Sequence, residues 1–346
     1  MAITKVVRDR LKRNSKFVAE DALPPLRNVE LPKVKPAHQP ALAGQGWTTI
    51  TFDGPEDTLK HSLDQLFDAS KAFFALPQEY KASFLTTAGS EEGWNRIEGE
   101  KEFITLRTID NTPKELKSPA IRAWAEAGQA LNAILEQVAK TLDLPPEALT
   151  QYSEPCIELN GRRTATMLRL FRYEGHEQKV VAEPHADLGL LSFVMGDTPG
   201  LEVWNKYHND FWPIEKTYKV PQGTILGGRQ LQRLSNERYE AGGHLVRSYG
   251  LPHESPITAA HEKPYRYSIV FVLRAHSPIL VDTDKLTTSI TGPFKHPLRD
   301  MTAGQLFQDT KRKHFNINTG TEEREKQKLE IIAKRQAQFL ELTARS

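Results

Sequence analysis

The sequence predicts an α+β chain that is mainly β, with a core of short antiparallel strands braced on one face by helices. Two patterns predict it. Short apolar runs bounded by turn residues recur from Leu188 onward, and apolar residues at a 3.6-residue period mark helices on either side of them. From Leu59, the positions Leu63, Leu66, Phe67, Phe73 and Phe74 share one helical face, and Pro77 stops the run. From Ile121 the series Trp124, Leu131, Ile134, Leu135, Val138 and Leu142 repeats the pattern as far as Pro145-Pro146. Leu188 to Val194 is apolar enough for a buried strand. Gly200 to Trp204 gives a turn and a return strand, and Trp212-Pro213-Ile214 and Pro221 to Leu226 continue the rhythm. Ser268 to Leu273 is too apolar for a surface strand. Thr321 is placed to cap a last helix whose Leu329, Ile332, Ala333, Phe339 and Leu340 share a face. Pro32 to Pro40, Asn111 to Pro119 and Leu251 to Pro264 read as loops.

Within this frame, Pro184-His185-Ala186-Asp187 carries the chemistry. Side chains two apart in a strand project to the same side, so His185 and Asp187 can reach one ion while Ala186 points away. Two neutral imidazoles and a carboxylate on one face of Fe(II) leave the opposite face open for small ligands. The third ligand must come from elsewhere. His244 lies 57 positions after Asp187, while His253 and His261 compete with it. Arg266-Tyr267-Ser268 repeats the two-residue spacing, and a guanidinium beside a hydroxyl suits a carboxylate.

These motifs, taken in order, resemble the isopenicillin N synthase-like family of non-haem Fe(II)/2-oxoglutarate-dependent dioxygenases. Pro184 to Val203, Gly228 to Asn236, His244 and Arg266-Tyr267-Ser268 carry the likeness. Upstream, Leu23-Pro24-Pro25-Leu26 with Gly46-Trp47, Phe73 to Lys81 and Lys101-Glu102-Phe103 agree with it, so the likeness covers roughly positions 23 to 275. It implies a double-stranded β-helix, or jelly roll, braced by helices from residues 56 to 145. It also implies Fe(II) as cofactor, with 2-oxoglutarate and O2 as cosubstrates.

The resemblance favours His185, Asp187 and His244 as the catalytic metal ligands. The segment from Leu231 to His244 matches the family's approach to its ligand without gaps, whereas Arg266 follows His244 by 22 positions, longer than the family spacing. His253 would give 13 and stays the competing ligand, although it sits among Gly250, Pro252 and Pro256. By the same resemblance Arg266 and Ser268 grip the far carboxylate of 2-oxoglutarate, and Tyr173 matches a tyrosine that often contacts it. Packing in the barrel wall suits Tyr173 equally. Phe171 stands where the family usually has Asn two residues before that tyrosine, so a direct Asn contact is not expected.

The implied activity is oxidation of an unactivated C–H bond of a small organic substrate in specialised metabolism. An iron oxidase independent of 2-oxoglutarate and an inactive binding barrel are the alternatives. A hydrolytic zinc site fits less well, since no general base adjoins the motif. Trp94, Asn95, Arg96 and Arg107 occupy positions where relatives often face substrate, though packing and surface salt bridges suit them as well.

Length and composition bound this reading. The chain has 346 residues, 38% hydrophobic and 26% charged, as ordinary globular proteins do. Lys+Arg 46 against Asp+Glu 44 gives a net charge of +2, which offers no case for nucleic acid, and no apolar run reaches transmembrane length. The single cysteine, Cys156, excludes a disulfide framework, so a cytoplasmic monomer or homodimer acting on a small molecule is expected. The basic stretch from Lys5 to Lys16 reads as a solvated arm; an organelle-targeting helix is its rival. The expected organisation is an arm over 1–22, a helical and strand region over 23–155, the jelly-roll core over 156–280 and a helical region over 281–346. The first region and the core should form one unit, because no flexible linker divides them.

Overall fold

The computed structural model describes residues 23–54, 56–174, 177–250 and 265–344. The basic arm, His253, His261 and the Leu251 to Pro264 stretch lie outside the described residues, as do the side chains of Phe339 and Leu340.

Two antiparallel sheets form the core. The larger has seven strands, whose spatial order starts with β1 (Trp47–Thr51), β9 (Gln222–Gly227), β6 (Leu191–Gly196) and β11 (Tyr265–Leu273). It ends with β4 (Met167–Glu174), β3 (Lys101–Leu106) and β2 (Gly93–Ile97). The smaller has β5 (Gln178–His185), β10 (His244–Tyr249), β7 (Leu201–Asn205) and β8 (Asp210–Trp212). This is the expected jelly-roll architecture. Among the described residues no strand pairing joins the two sheets, so the barrel is not closed.

Strand alternation divides the side chains of the larger sheet. On β4, Met167, Arg169, Phe171 and Tyr173 face a cavity between the sheets, while Leu168 and Leu170 join the core on the other side. On β11, Arg266, Ser268, Val270 and Val272 face the cavity, while Ile269, Phe271 and Leu273 pack outward. Two helices cover that outer face: α1 (Thr58–Ala75) and α2 (Lys114–Thr141). Asp57 caps α1 by accepting from the Lys60 backbone N–H at 3.0 Å. Trp124 of α2 is fully buried, meets Phe271 edge-on at 5.2 Å and donates its indole N–H to the Cys156 carbonyl at 2.9 Å.

Three sequence expectations are corrected. Asn111 to Pro119 is not a loop throughout, because α2 begins at Lys114 and holds Pro119 inside it. Proline there removes one backbone hydrogen bond. Pro119 is only half-buried, however, and Leu116, Ala120, Ala123 and Trp124 bury the adjoining helix face, which offsets that loss. In the predicted loop Pro32 to Pro40, Pro36–His38 forms a 3-10 turn and Gln39 opens a short helix. Pro40 lies in that helix's first turn, where its missing N–H has no intrahelical partner to lose. The last helix, α5, does span Thr321–Ala344, but Leu329 is 67% exposed and Ile332 50%. It docks by a polar residue instead. Arg324 is buried and binds Glu100 at 2.6 and 3.0 Å and Glu183 at 2.9 Å. Two shorter helices precede it, α3 (Arg229–Leu234) and α4 (Ala303–Lys311).

Because Trp124 joins α2 to the outer face of the sheet, Trp124→Ala should lower unfolding free energy by about 3–5 kcal/mol in urea titration. A loss below about 1 kcal/mol would mean that this contact does not tie the helix layer to the sheet.

Candidate active site

β5 ends at His185, and its antiparallel neighbour β10 begins at His244, with the two residues in register. That pairing brings the rings together, tilted by 52° with their centroids 4.1 Å apart. Asp187 follows two residues after His185. Ligand atoms of His185, Asp187 and His244 all lie within 4.8 Å of one another, and His185 Nε2 is 3.9 Å from Asp187 Oδ1. Each histidine is oriented by its other nitrogen. Nδ1 of His185 is 2.7 Å from the Glu183 carbonyl, and Nδ1 of His244 is 3.0 Å from the Gly242 carbonyl. An imidazole that donates from Nδ1 leaves Nε2 as a lone-pair donor, the form a metal requires. Burial, with the neighbouring His244, pushes His185 down to about 3, so that ring is neutral at physiological pH. Burial alone would raise Asp187, but the two adjacent histidines outweigh it and hold the carboxyl below its usual value.

The second part of the site lies across β4 and β11, where Arg266 pairs with Tyr173 and Ser268 with Phe171. Arg266 and Ser268 are buried, and the guanidinium lies 5.4 Å from the centre of the Tyr173 ring. Tyr173 also stacks on Phe171 at 5.1 Å, and burial pushes its hydroxyl up to about 12. Glu215 fixes the guanidinium. Its carboxylate accepts from Arg266 Nη2 at 2.9 and 3.1 Å and from the backbone N–H groups of Gly196, Gly200 and Leu201. Arg266 Nε donates to the Thr198 carbonyl at 2.9 Å.

Among the buried atoms of the cavity wall that have no partner are Asp187 Oδ2 and Arg266 Nη1. A buried carboxylate oxygen and a buried guanidinium N–H are each costly to leave unpaired. A divalent cation would complete the first, and a carboxylate the second. The residues therefore fit Fe(II) and 2-oxoglutarate. The cavity that holds both measures ≈1060 Å³.

Comparison with known proteins agrees. No family model matches the chain. A curated relative, the 2-oxoglutarate-dependent dioxygenase HtyE of Aspergillus rugulosus, is 24% identical over 262 residues, covering 65% of this chain and 78% of the relative. A 2OG-Fe(II) oxygenase family protein of Caulobacter crescentus superposes with a TM-score of 0.61 at 21% identity, covering 79% of this chain and 92% of that one. JOX2, crystallised with 2OG, Fe and JA, gives 0.62 at 15% identity over 91% and 96%. A full-length Neurospora crassa protein crystallised with alpha-KG and thymine gives 0.60 at 17% over 78% and 87%. By fold the chain is similar to 2OG-Fe(II) oxygenases, and by sequence to a 2-oxoglutarate-dependent dioxygenase.

The oxygenase fold brings His185, Asp187, His244, Tyr173, Arg266 and Ser268 into one cavity wall. Of the residues suggested to face substrate, Asn95 borders the cavity. Trp94 is buried and donates to Glu102 at 3.1 Å, Arg96 pairs with Glu98 at 2.9 Å, and Arg107 binds the Thr164 carbonyl. Sequence reasoning missed Glu215, because a glutamate in a short 3-10 turn (Ile214–Thr217) gives no periodic signal. Lys101 and Lys81, noted only as parts of motifs, prove structural. Lys81 pairs with Glu102 at 3.0 Å, and Lys101 Nζ donates to the carbonyls of Val181 and Ile317 at 3.1 and 3.3 Å.

Removing one partner of a buried pair strands the other, so Glu215→Ala should destabilise the fold by about 3–5 kcal/mol in urea, and Glu215→Gln by less. Lys101 makes a second prediction. Burial pushes it down to about 7, below its ordinary unfolded value, so between those values the unfolded chain binds more protons than the folded one. Stability from this group therefore rises with pH above about 7. Wild type should gain on Lys101→Met from pH 7 toward pH 10 in denaturant titrations; a pH-independent difference would contradict the buried ammonium.

Proposed function

We propose that this protein is an iron(II)- and 2-oxoglutarate-dependent oxygenase that oxidises an unactivated C–H bond of a small organic substrate, by hydroxylation, desaturation or ring formation, in specialised-metabolite biosynthesis. The observation that carries the reading is the pair of unsatisfied buried atoms, Asp187 Oδ2 and Arg266 Nη1, in one cavity wall. They call for a cation and a carboxylate in the same space. When bound, iron and 2-oxoglutarate supply the oxidising chemistry, coupling O2 reduction to decarboxylation of 2-oxoglutarate into succinate and carbon dioxide.

The chain's own residues position and protect. His185 and His244 present Nε2 because backbone carbonyls hold their Nδ1 atoms. Asp187, kept ionised, gives the site a negative ligand. Arg266 takes a carboxylate on Nη1 while Glu215 keeps its other nitrogen in place. Val194, Leu201, Val246 and Val270 line the cavity and exclude water from the oxidant. Solved neighbours hold thymine and JA, both small organic molecules. A cavity of ≈1060 Å³ is at the upper end for ligand pockets and suits a multi-ring substrate.

Anaerobic addition of Fe(II) and 2-oxoglutarate should produce a weak visible charge-transfer band. The band should be absent in His185→Ala and need at least tenfold more 2-oxoglutarate in Arg266→Gln. With air admitted, succinate should form only when both iron and 2-oxoglutarate are present. Oxygen uptake indifferent to 2-oxoglutarate would refute the reading and favour an iron oxidase.

A further inference from the structure

Arg169 has no role in the site described so far. It lies on the same inward row of β4 as Tyr173, four residues away, which at about 3.3 Å per residue is roughly 13 Å along the strand. It is 8% exposed and lines the cavity. Its Nε donates to Thr105 Oγ1 at 2.7 Å, and its guanidinium lies 5.3 and 5.9 Å from the rings of Phe103 and Phe171. Among the described residues no protein group accepts a hydrogen bond from either terminal nitrogen, although the fork is held in place.

The charges around it explain what is missing. Glu91 is the carboxylate whose charge acts most on Arg169, and Arg274 already takes it, with contacts of 2.7 and 3.3 Å. Arg107 approaches the same carboxylate at 3.8 Å. Arg274 and Arg107 thus contact this carboxylate, Arg169 only feels its charge, and Lys311 also borders the cavity. The other anion acting on Arg169 is Asp187, whose charge a metal would neutralise. Burial lowers Arg169 only to about 10, so it remains a cation at neutral pH. A guanidinium largely removed from bulk water, with both terminal nitrogens open to the cavity, favours an anion there. Arg266, opposite Tyr173 on the neighbouring strand, has Glu215 on Nη2 only.

We propose that the substrate of this oxygenase is an organic carboxylate whose acid group docks on the terminal nitrogens of Arg169, at the end of the cavity away from Arg266. The apolar part of the substrate then lies against Phe103, Phe171, Met167 and Val272, over the His185–Asp187–His244 cluster. Two carboxylates would be sorted by two arginines: the cosubstrate by Arg266, the substrate by Arg169. This inference rests on the proposed oxygenase function, which assigns Arg266 to 2-oxoglutarate.

The test uses full-length protein loaded anaerobically with Fe(II) and saturating 2-oxoglutarate, so that the Arg266 site is filled. Benzoate, cinnamate and decanoate serve as probes, each beside its primary amide, and binding is measured by calorimetry. At least one acid should bind tenfold or more tightly than its amide. Arg169→Gln should abolish that preference, and Arg169→Lys, which keeps the charge but not the fork, should retain part of it. Acids that bind no better than amides, or a preference that survives in Arg169→Gln, would overturn the proposal. Failure of the underlying function looks different: wild-type protein would then give no Fe(II)·2-oxoglutarate band at all.

Discussion

The register between β5 and β10 is the constraint on which the site depends. His185 and His244 come from strands almost sixty residues apart, and their rings meet only because the two residues sit opposite each other. Side chains alternate along a strand, so a slip of one residue would turn His244 out of the cavity and bring a neighbour in. The pairing is not regular throughout. Register shifts fall between His244 and Val246 and again between Val246 and Arg247. Such irregularities re-aim side chains at the ends of strands, and here they lie immediately beside the histidine pair.

Around that register the molecule buries more charge than a purely apolar core would tolerate. Glu215 with Arg266, Glu91 with Arg274, and Glu102 with Lys81 are each largely buried pairs. Desolvating two ions often cancels their attraction, so such pairs are weak evidence for stability. Two of them lie at the cavity and hold guanidinium groups at fixed points in its wall, which is a functional return on the desolvation. A third group of charges ties the C-terminal segment to the sheets. Lys101 donates to the Ile317 carbonyl, and Arg324 binds Glu100 and Glu183, so the approach to α5 is tied across strands β3 and β5. The residues from His314 to Thr319 that border the cavity are thereby held over it.

Much of this was legible without coordinates. The two-residue spacing of His185 and Asp187, and of Arg266 and Ser268, follows from strand geometry alone, and the apolar period of α1 and α2 marks the bracing layer. The departures have a common origin. Local chemistry disfavours Pro119 in a helix, yet burial of the neighbouring helix face outweighs one lost hydrogen bond. The period of Leu329 and Ile332 implies a shared face, but period does not say which face meets the protein. The helix docks instead through Arg324, whose acidic partners come from distant strands.

What the sequence determined by itself was the set of donors and the secondary structure that presents them, since both depend on residue type and on separations of a few positions. What only the tertiary structure decided was which distant groups meet: His244 opposite His185, Glu215 against Arg266, and Arg169 facing the cavity without an anion. Those outcomes depend on strand order and on burial. Short-range pattern cannot encode them, because a charged side chain becomes costly, and so informative, only after the fold has removed it from water.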